Sequence, residues 1–316
     1  MGKHSKDKRD IYYRKAKEDG WRARSAFKLL QIDEQFDIFS GVRRAVDLCA
    51  APGSWSQVLS RKLFLGSGAI EDVRIVAVDL QEMAPIEGVR LIVGDITSTK
   101  TVAEILSEFK EGDEERLADL VVCDGAPDVT GMHDLDEYVQ AQLLLSALMI
   151  TTQLLRPGGT FVAKIFRGKD VSLLYAQLRL FFSRVSCAKP KSSRNGSVEA
   201  FVVAQGFAPR ADLGEHALAG LFSAAGGDLT LSSPELMLGG EEERLIAPFV
   251  ACGDLSGFDA DANYDLELGG TGDGETAAQP YVYHEPTQKP TTPAYRAFLE
   301  TRAAAGRRLV LDNKKH

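Results

Sequence analysis

The feature that most constrains this 316-residue chain is an alternation of two periods. Short runs rich in β-branched residues recur at 44–48, 73–80, 89–96, 118–125, 159–166, 183–190 and 197–207. Between them, helical spacing covers 55–65, 99–110, 134–155 and 170–182. Strands bury every second side chain and helices every third or fourth, so each change of period marks an element boundary. Strands that alternate with helices are joined by crossovers, which predicts an α/β fold: a seven-stranded, mostly parallel sheet with helices on both faces. Only "KSSRNG" joins the last two runs. It is too short for a helical crossover, so those strands are expected to form an antiparallel hairpin at the sheet edge. Upstream, "RARSAFKLLQIDEQF" carries apolar residues at 26, 27, 29, 30, 32 and 36, the stripe of a leading helix.

The first strand runs through Asp47 into "LCAAPGSW". In open α/β sheets ligands bind at the carboxyl ends of the strands. There Ala50, Ala51 and Gly53 let the backbone approach a ligand, Pro52 shapes the turn, and a helix starting at Ser54 and Trp55 directs free N–H groups at it. The second strand ends in Asp79 and Leu80, where a carboxylate can accept from ribose hydroxyls. The third ends in Asp95 and Ile96, an acceptor beside an apolar residue, which suits adenine; the fourth ends at Asp124. Any one of these acids can be explained as a loop cap, but three at successive strand ends are poorly explained that way. The turn lacks both Gly-x-Gly-x-x-Gly and Gly-Lys-Ser/Thr, which favours a ligand without a pyrophosphate. S-adenosyl-L-methionine fits, and the terminal hairpin separates such a methyltransferase Rossmann-like sheet from that of an oxidoreductase. Cys49, Cys123, Cys187 and Cys252 stand far apart, so neither a metal site nor a disulfide framework is expected.

Charge divides the chain. Residues 211–316 hold 8 Lys and Arg against 17 Asp and Glu, whereas residues 1–28 hold ten against four. The basic segment is interleaved with Tyr12, Tyr13 and Trp21, a composition suited to a phosphate backbone with exposed bases. Lys6, Lys8, Arg9, Arg22 and Arg24 are its candidate RNA contacts, together with Lys3 and Arg14. The alternative is that these arginines pair with Glu18, Asp19 or Asp33 and hold the first helix. No apolar run is long enough to span a membrane, and the N-terminus carries neither a signal-peptide core nor an amphipathic presequence, so a cytoplasmic protein is expected. Residues 1–210 read as one domain. Residues 211–316 read as an acidic, Gly-rich extension with a few anchored segments, among them "LIAPFVACGDL" and a short helix in "TTPAYRAFLETRAAAGRR".

The motifs "GWRARSAFKLLQIDEQF", "VDLCAAPGSWSQVLS", "VVCDGAPDVTGMHDLDEY", "LLRPGGTFVAKIF" and "KPKSSRNGSVEAFVVAQGF" resemble those of the FtsJ/RrmJ-type RNA ribose 2′-O-methyltransferases over roughly residues 1–210. The resemblance implies a Lys-Asp-Lys-Glu tetrad, matched here by Lys28, Asp124, Lys164 and Glu199. Within the family the chain looks most like the eukaryotic cytosolic enzymes that methylate the tRNA anticodon loop at nucleotides 32 and 34. That implies tRNA as substrate and separate helical-repeat or propeller proteins that choose the nucleotide. Action on ribosomal RNA, or a non-catalytic RNA-binding module, stands as the alternative. Methyl transfer to a hydroxyl is an in-line displacement, needing a positioned 2′-oxygen and a route for its proton. Lys164 is the candidate base or steering group. Burial lowers the pKa of such a lysine and neighbouring carboxylates raise it, and sequence leaves that balance open.

Overall fold

The computed structural model describes residues 10–66, 72–110, 116–126, 133–168, 171–210, 247–264, 284, 285, 287 and 288. Their strands form one sheet in the order β3-β2-β1-β4-β5-β7-β6-β8. These are β1 (Arg44–Leu48), β2 (Arg74–Asp79), β3 (Val89–Val93), β4 (Ala118–Cys123), β5 (Leu155–Phe166), β6 (Phe182–Pro190), β7 (Glu199–Phe207) and β8 (Phe249–Cys252). The first five strands pair in parallel, and β7 runs antiparallel to both β5 and β6, as expected for the hairpin.

The sheet has one strand more than the seven expected. Four residues of the C-terminal region, Phe249–Cys252, pair in parallel with β6, Cys187 facing Phe249 and Pro190 facing Cys252. They lie within the segment expected to anchor on the domain. Acidic, glycine-rich surroundings dilute so short an apolar run in any sequence window, whereas the free edge of β6 offers it a ladder of hydrogen bonds. The expected helix at "TTPAYRAFLETRAAAGRR" lies outside the described residues.

Helices α1 (Ile11–Glu18), α2 (Ala26–Phe36), α3 (Ser54–Leu59), α4 (Thr99–Glu108), α5 (His133–Leu154) and α6 (Val171–Arg179) cover the sheet, and α3 continues into a π-turn at Ser60–Phe64. Two apolar layers result. On one face Ala45, Ile75, Leu120, Val122, Val162, Phe201 and Val203 pack against Leu29 and Ile32 of α2 and Val58 and Leu59 of α3. On the other, Val46, Val76, Val121, Phe161, Ala163 and Ile165 pack against α4, α5 and α6. The same period of two places the polar residues. Asp47 and Asp79 share the parity of Ala45 and Ile75, Lys164 that of Val162, and Glu199 that of Phe201. All therefore belong to the face covered by α2. Asp124, one residue past β4, continues the parity of Val122.

Helix α1 falls within the basic segment and is partly buried. Asp10 caps it by accepting from the Tyr13 N–H at 3.1 Å, and Ile11, Tyr12 and Ala16 are buried. The Tyr12 hydroxyl donates to the Phe258 carbonyl at 3.0 Å, so the C-terminal region clasps this helix.

Candidate active site

The turn after β1 is drawn tight by the Gly53 N–H, which donates to the Ala50 carbonyl at 2.6 Å. Gly53 has φ +98°, and a Cβ there would lie 2.6 Å from a guanidinium nitrogen of Arg22. Both the backbone conformation and the crowding require glycine. Asp79 braces the turn, accepting from the Ala51 N–H at 2.8 Å and the Gln81 N–H at 2.9 Å. Asp95 accepts from the Thr97 N–H at 2.8 Å and hydroxyl at 2.7 Å, and these bonds hold its exposed carboxyl below its usual pKa. Ile96 is buried beside it, while Leu80 is exposed. Both acids thus act as caps, and both keep acceptor capacity: each Asp79 oxygen has one donor, and both Asp95 bonds fall on Oδ1, which leaves Oδ2 open.

Asp47 is fully buried. The Ser56 hydroxyl donates to its Oδ2 at 2.5 Å, while Oδ1 has no partner among the described residues. Burial, reinforced by Asp124 and Asp79, pushes its pKa up to about 8. The indole of Trp55, expected beside the ligand, lies in the core instead: it donates to the Ser25 carbonyl at 2.9 Å and packs on Phe201 with ring centroids 5.6 Å apart. Only its backbone is left to face the turn. Ser54, whose hydroxyl is 2.5 Å from that of Ser25, likewise ties the turn to α2.

Lys28, Asp124, Lys164 and Glu199 come together as two ion pairs. Lys28 Nζ lies 2.7 and 2.8 Å from the two Glu199 oxygens. Lys164 Nζ lies 3.0 Å from Asp124 Oδ1 and donates to the Asp124 carbonyl at 2.7 Å. Lys164 faces Phe201 in the β5–β7 ladder, with Glu199 two residues along. Burial is the largest influence on Lys164 and lowers its pKa, but Asp124 and Glu199 together outweigh it and the net shift is upward. Burial likewise raises Glu199, and Lys28 leads the attractions that bring it below its usual value.

The structure also recruits residues not singled out from the sequence. The Ser193 hydroxyl donates to Glu199 Oε1 at 2.8 Å, and Lys189 Nζ donates to the Ser197 and Glu199 carbonyls at 2.9 and 2.5 Å. Gln31, one turn beyond Lys28, accepts from the Ser192 N–H and hydroxyl at 2.9 and 2.8 Å. These bonds fasten the hairpin carrying Glu199 to the helix carrying Lys28. "KPKSSRNGSVE" showed polar residues clustered at a turn, but nothing in their spacing assigned the partners.

The basic segment differs from its expected form. Arg14 is buried rather than facing outward, one amino group lying 3.5 Å from the Tyr264 carbonyl. Arg22 donates to the carbonyls of Pro52, Ala84 and Pro85 at 3.0, 2.8 and 2.9 Å. Arg24 pairs with Asp10 and donates to the Ser192 carbonyl at 2.5 Å. Both were candidate RNA contacts, and neither takes the alternative partners Glu18, Asp19 or Asp33, because other segments supply nearer acceptors. Lys3, Lys6, Lys8 and Arg9 lie outside the described residues.

The cysteines are free thiols, and among the described residues no group of His, Cys, Asp and Glu is placed to hold a metal. No helix among them is long and apolar enough to cross a membrane.

Residues 21–207 match the profile of the FtsJ-like methyltransferases. A mouse protein named tRNA (cytidine(32)/guanosine(34)-2′-O)-methyltransferase is 58% identical over 296 residues, covering 93% of this chain and 85% of the relative. A Schizosaccharomyces pombe protein of the same name is 54% identical, with 95% and 97% covered. Among solved structures, a ribosomal RNA methyltransferase from Plasmodium falciparum superimposes with a TM-score of 0.50 at 25% identity, covering 60% of this chain and all (100%) of that one.

Proposed function

The chain belongs to the FtsJ-like methyltransferase family, and from that premise we propose that it methylates ribose 2′-hydroxyls in the tRNA anticodon loop, at nucleotides 32 and 34, the positions in its relatives' names. The observation that carries this reading is the pair of buried Lys–carboxylate contacts on the face of the sheet covered by α2. Two lysines and two carboxylates can position a hydroxyl and manage its proton without a metal.

The turn at 49–53 fits S-adenosyl-L-methionine. Asp79 and Asp95 retain acceptor capacity, the opening of α3 offers backbone donors, and among the described residues Asp47 Oδ1 has no hydrogen-bond partner. S-adenosyl-L-methionine supplies an activated methyl group on positively charged sulfur. Asp79 and Asp95 would hold its polar groups, with Asp124 between it and Lys164. Raised by its two carboxylates, Lys164 stands as a cation and orients the 2′-oxygen by donating to it. Lys28 and Ser193 keep Glu199 ionised, so the site retains an acceptor for the hydroxyl proton as the new C–O bond forms.

The reading also includes a cytoplasmic location, protein partners that select the nucleotide, and RNA contact by Lys6, Lys8 and Arg9, with Arg22 and Arg24 bracing that edge. The test is to incubate the chain, with and without candidate partners, with labelled S-adenosyl-L-methionine and unmodified tRNA, then map the label. Label on anticodon-loop riboses is expected. Label on bases, or on riboses outside the anticodon loop, overturns the assignment.

A further inference from the structure

Behind Lys164, on the opposite face of β5, a cleft of about 330 Å³ lies between the start of α5, the end of β5 and the start of α6. Tyr138, Phe166, Leu144 and Leu174 give it apolar walls, and Glu137 and Gln140 give it polar groups. Gln140 is 2% exposed, and its orientation is fixed because its Nε2 donates to the Gly125 carbonyl at 3.1 Å and the Lys164 carbonyl at 3.0 Å. Its Oε1 therefore points elsewhere and, among the described residues, has no partner. The Glu137 carboxylate rests on Gly168, where a Cβ would come within 2.2 Å of it, so the glycine keeps the carboxylate seated.

We propose that this cleft receives a guanine base of the substrate RNA. Flat rings suit a narrow apolar cleft beside Tyr138 and Phe166, since single-stranded RNA is read by splaying bases onto aromatic side chains. The polar wall decides which base: the Glu137 carboxylate presents two acceptor oxygens, and guanine presents two adjacent N–H donors on its Watson–Crick edge. Uracil places acceptors on either side of its one donor and meets repulsion. Gln140 holds the backbone of the two strands that carry Asp124 and Lys164, so the cleft has a fixed relation to the reacting ribose.

This inference rests on the RNA methyltransferase reading, and two measurements separate their failures. In the first, anticodon stem-loop RNA carries either guanosine or inosine, which lacks the exocyclic amine. The wild type is expected to favour guanosine by about tenfold in kcat/KM, and Glu137→Gln to bring that ratio close to one. Equal ratios in the two proteins overturn the pocket. In the second, RNA carrying 6-thioguanosine is photo-crosslinked to the wild type and to Tyr138→Ala, and the attached peptides are mapped. Attachment within residues 135–144 or 165–168 supports the pocket, and attachment confined to other peptides overturns it whatever the activity. A wild type that crosslinks in the cleft yet methylates no RNA would retain the base site and refute the proposed reaction.

Discussion

Two neighbouring stretches of one sheet edge treat their carboxylates in opposite ways. At β1, β2 and the loop after β3, Asp47, Asp79 and Asp95 are held by hydroxyls and backbone N–H groups, with no lysine or arginine bonded to them among the described residues. At β4, β5 and β7, Asp124 and Glu199 are each held by a lysine. The first stretch is left short of positive charge, so far that Asp47 is driven toward its neutral form, and it is suited to a cationic ligand. The second is internally balanced and suited to steering a proton. The two also respond oppositely to pH. Glu199 has a lowered pKa, so its contribution to stability is present above the unfolded value near 4.5 and is lost as pH falls through the folded one. Asp47 has a raised pKa, so its folded form holds a proton that the unfolded chain has released. Stability falls as pH rises between about 4 and 8.

The contrast breaks most visibly at Lys164. Lys164→Ala should lower kcat by about 10²–10³-fold, the range for losing one positioned charged donor, while the dissociation constant for S-adenosyl-L-methionine changes only a few-fold. Single-turnover kinetics with calorimetry would show it, and near-normal turnover would remove Lys164 from the chemistry. On the other stretch the pattern should invert. Asp79→Ala removes acceptors from the ligand and the brace on Ala51, so cofactor affinity should fall about ten- to a hundredfold, with the chain still folded by circular dichroism.

A smaller effect sharpens the electrostatic difference. Asp47→Asn should stabilise the ligand-free protein near pH 8 by about 1–2 kcal/mol, a few degrees in Tm, and flatten the dependence between about pH 4 and 8. Melting curves across that range decide it, and an unchanged slope would mean that Asp47 is ionised in the folded state. The smallest change is expected at Ser193→Ala. It takes one of several holds from Glu199 and should reduce kcat about two- to fivefold while moving the acidic limb of the pH–rate profile upward.

Sequence alone determined the α/β class and the terminal hairpin, because these depend on local periods carried within single segments. The parity that puts Asp47, Lys164 and Glu199 on one face follows from strand geometry, and the glycine at 53 from the tightness of its turn. Tertiary structure decided which charges meet. Arg24, read from the sequence as an RNA contact, met Asp10 and Ser192, Trp55 turned from the turn into the core, and Phe249–Cys252 became an eighth strand. It also settled the pKa balance at Lys164 in favour of the carboxylates. These outcomes hang on distances between segments up to about 170 residues apart, as with Lys28 and Glu199. Burial and charge compete there within a few ångströms, and no window of sequence contains that separation.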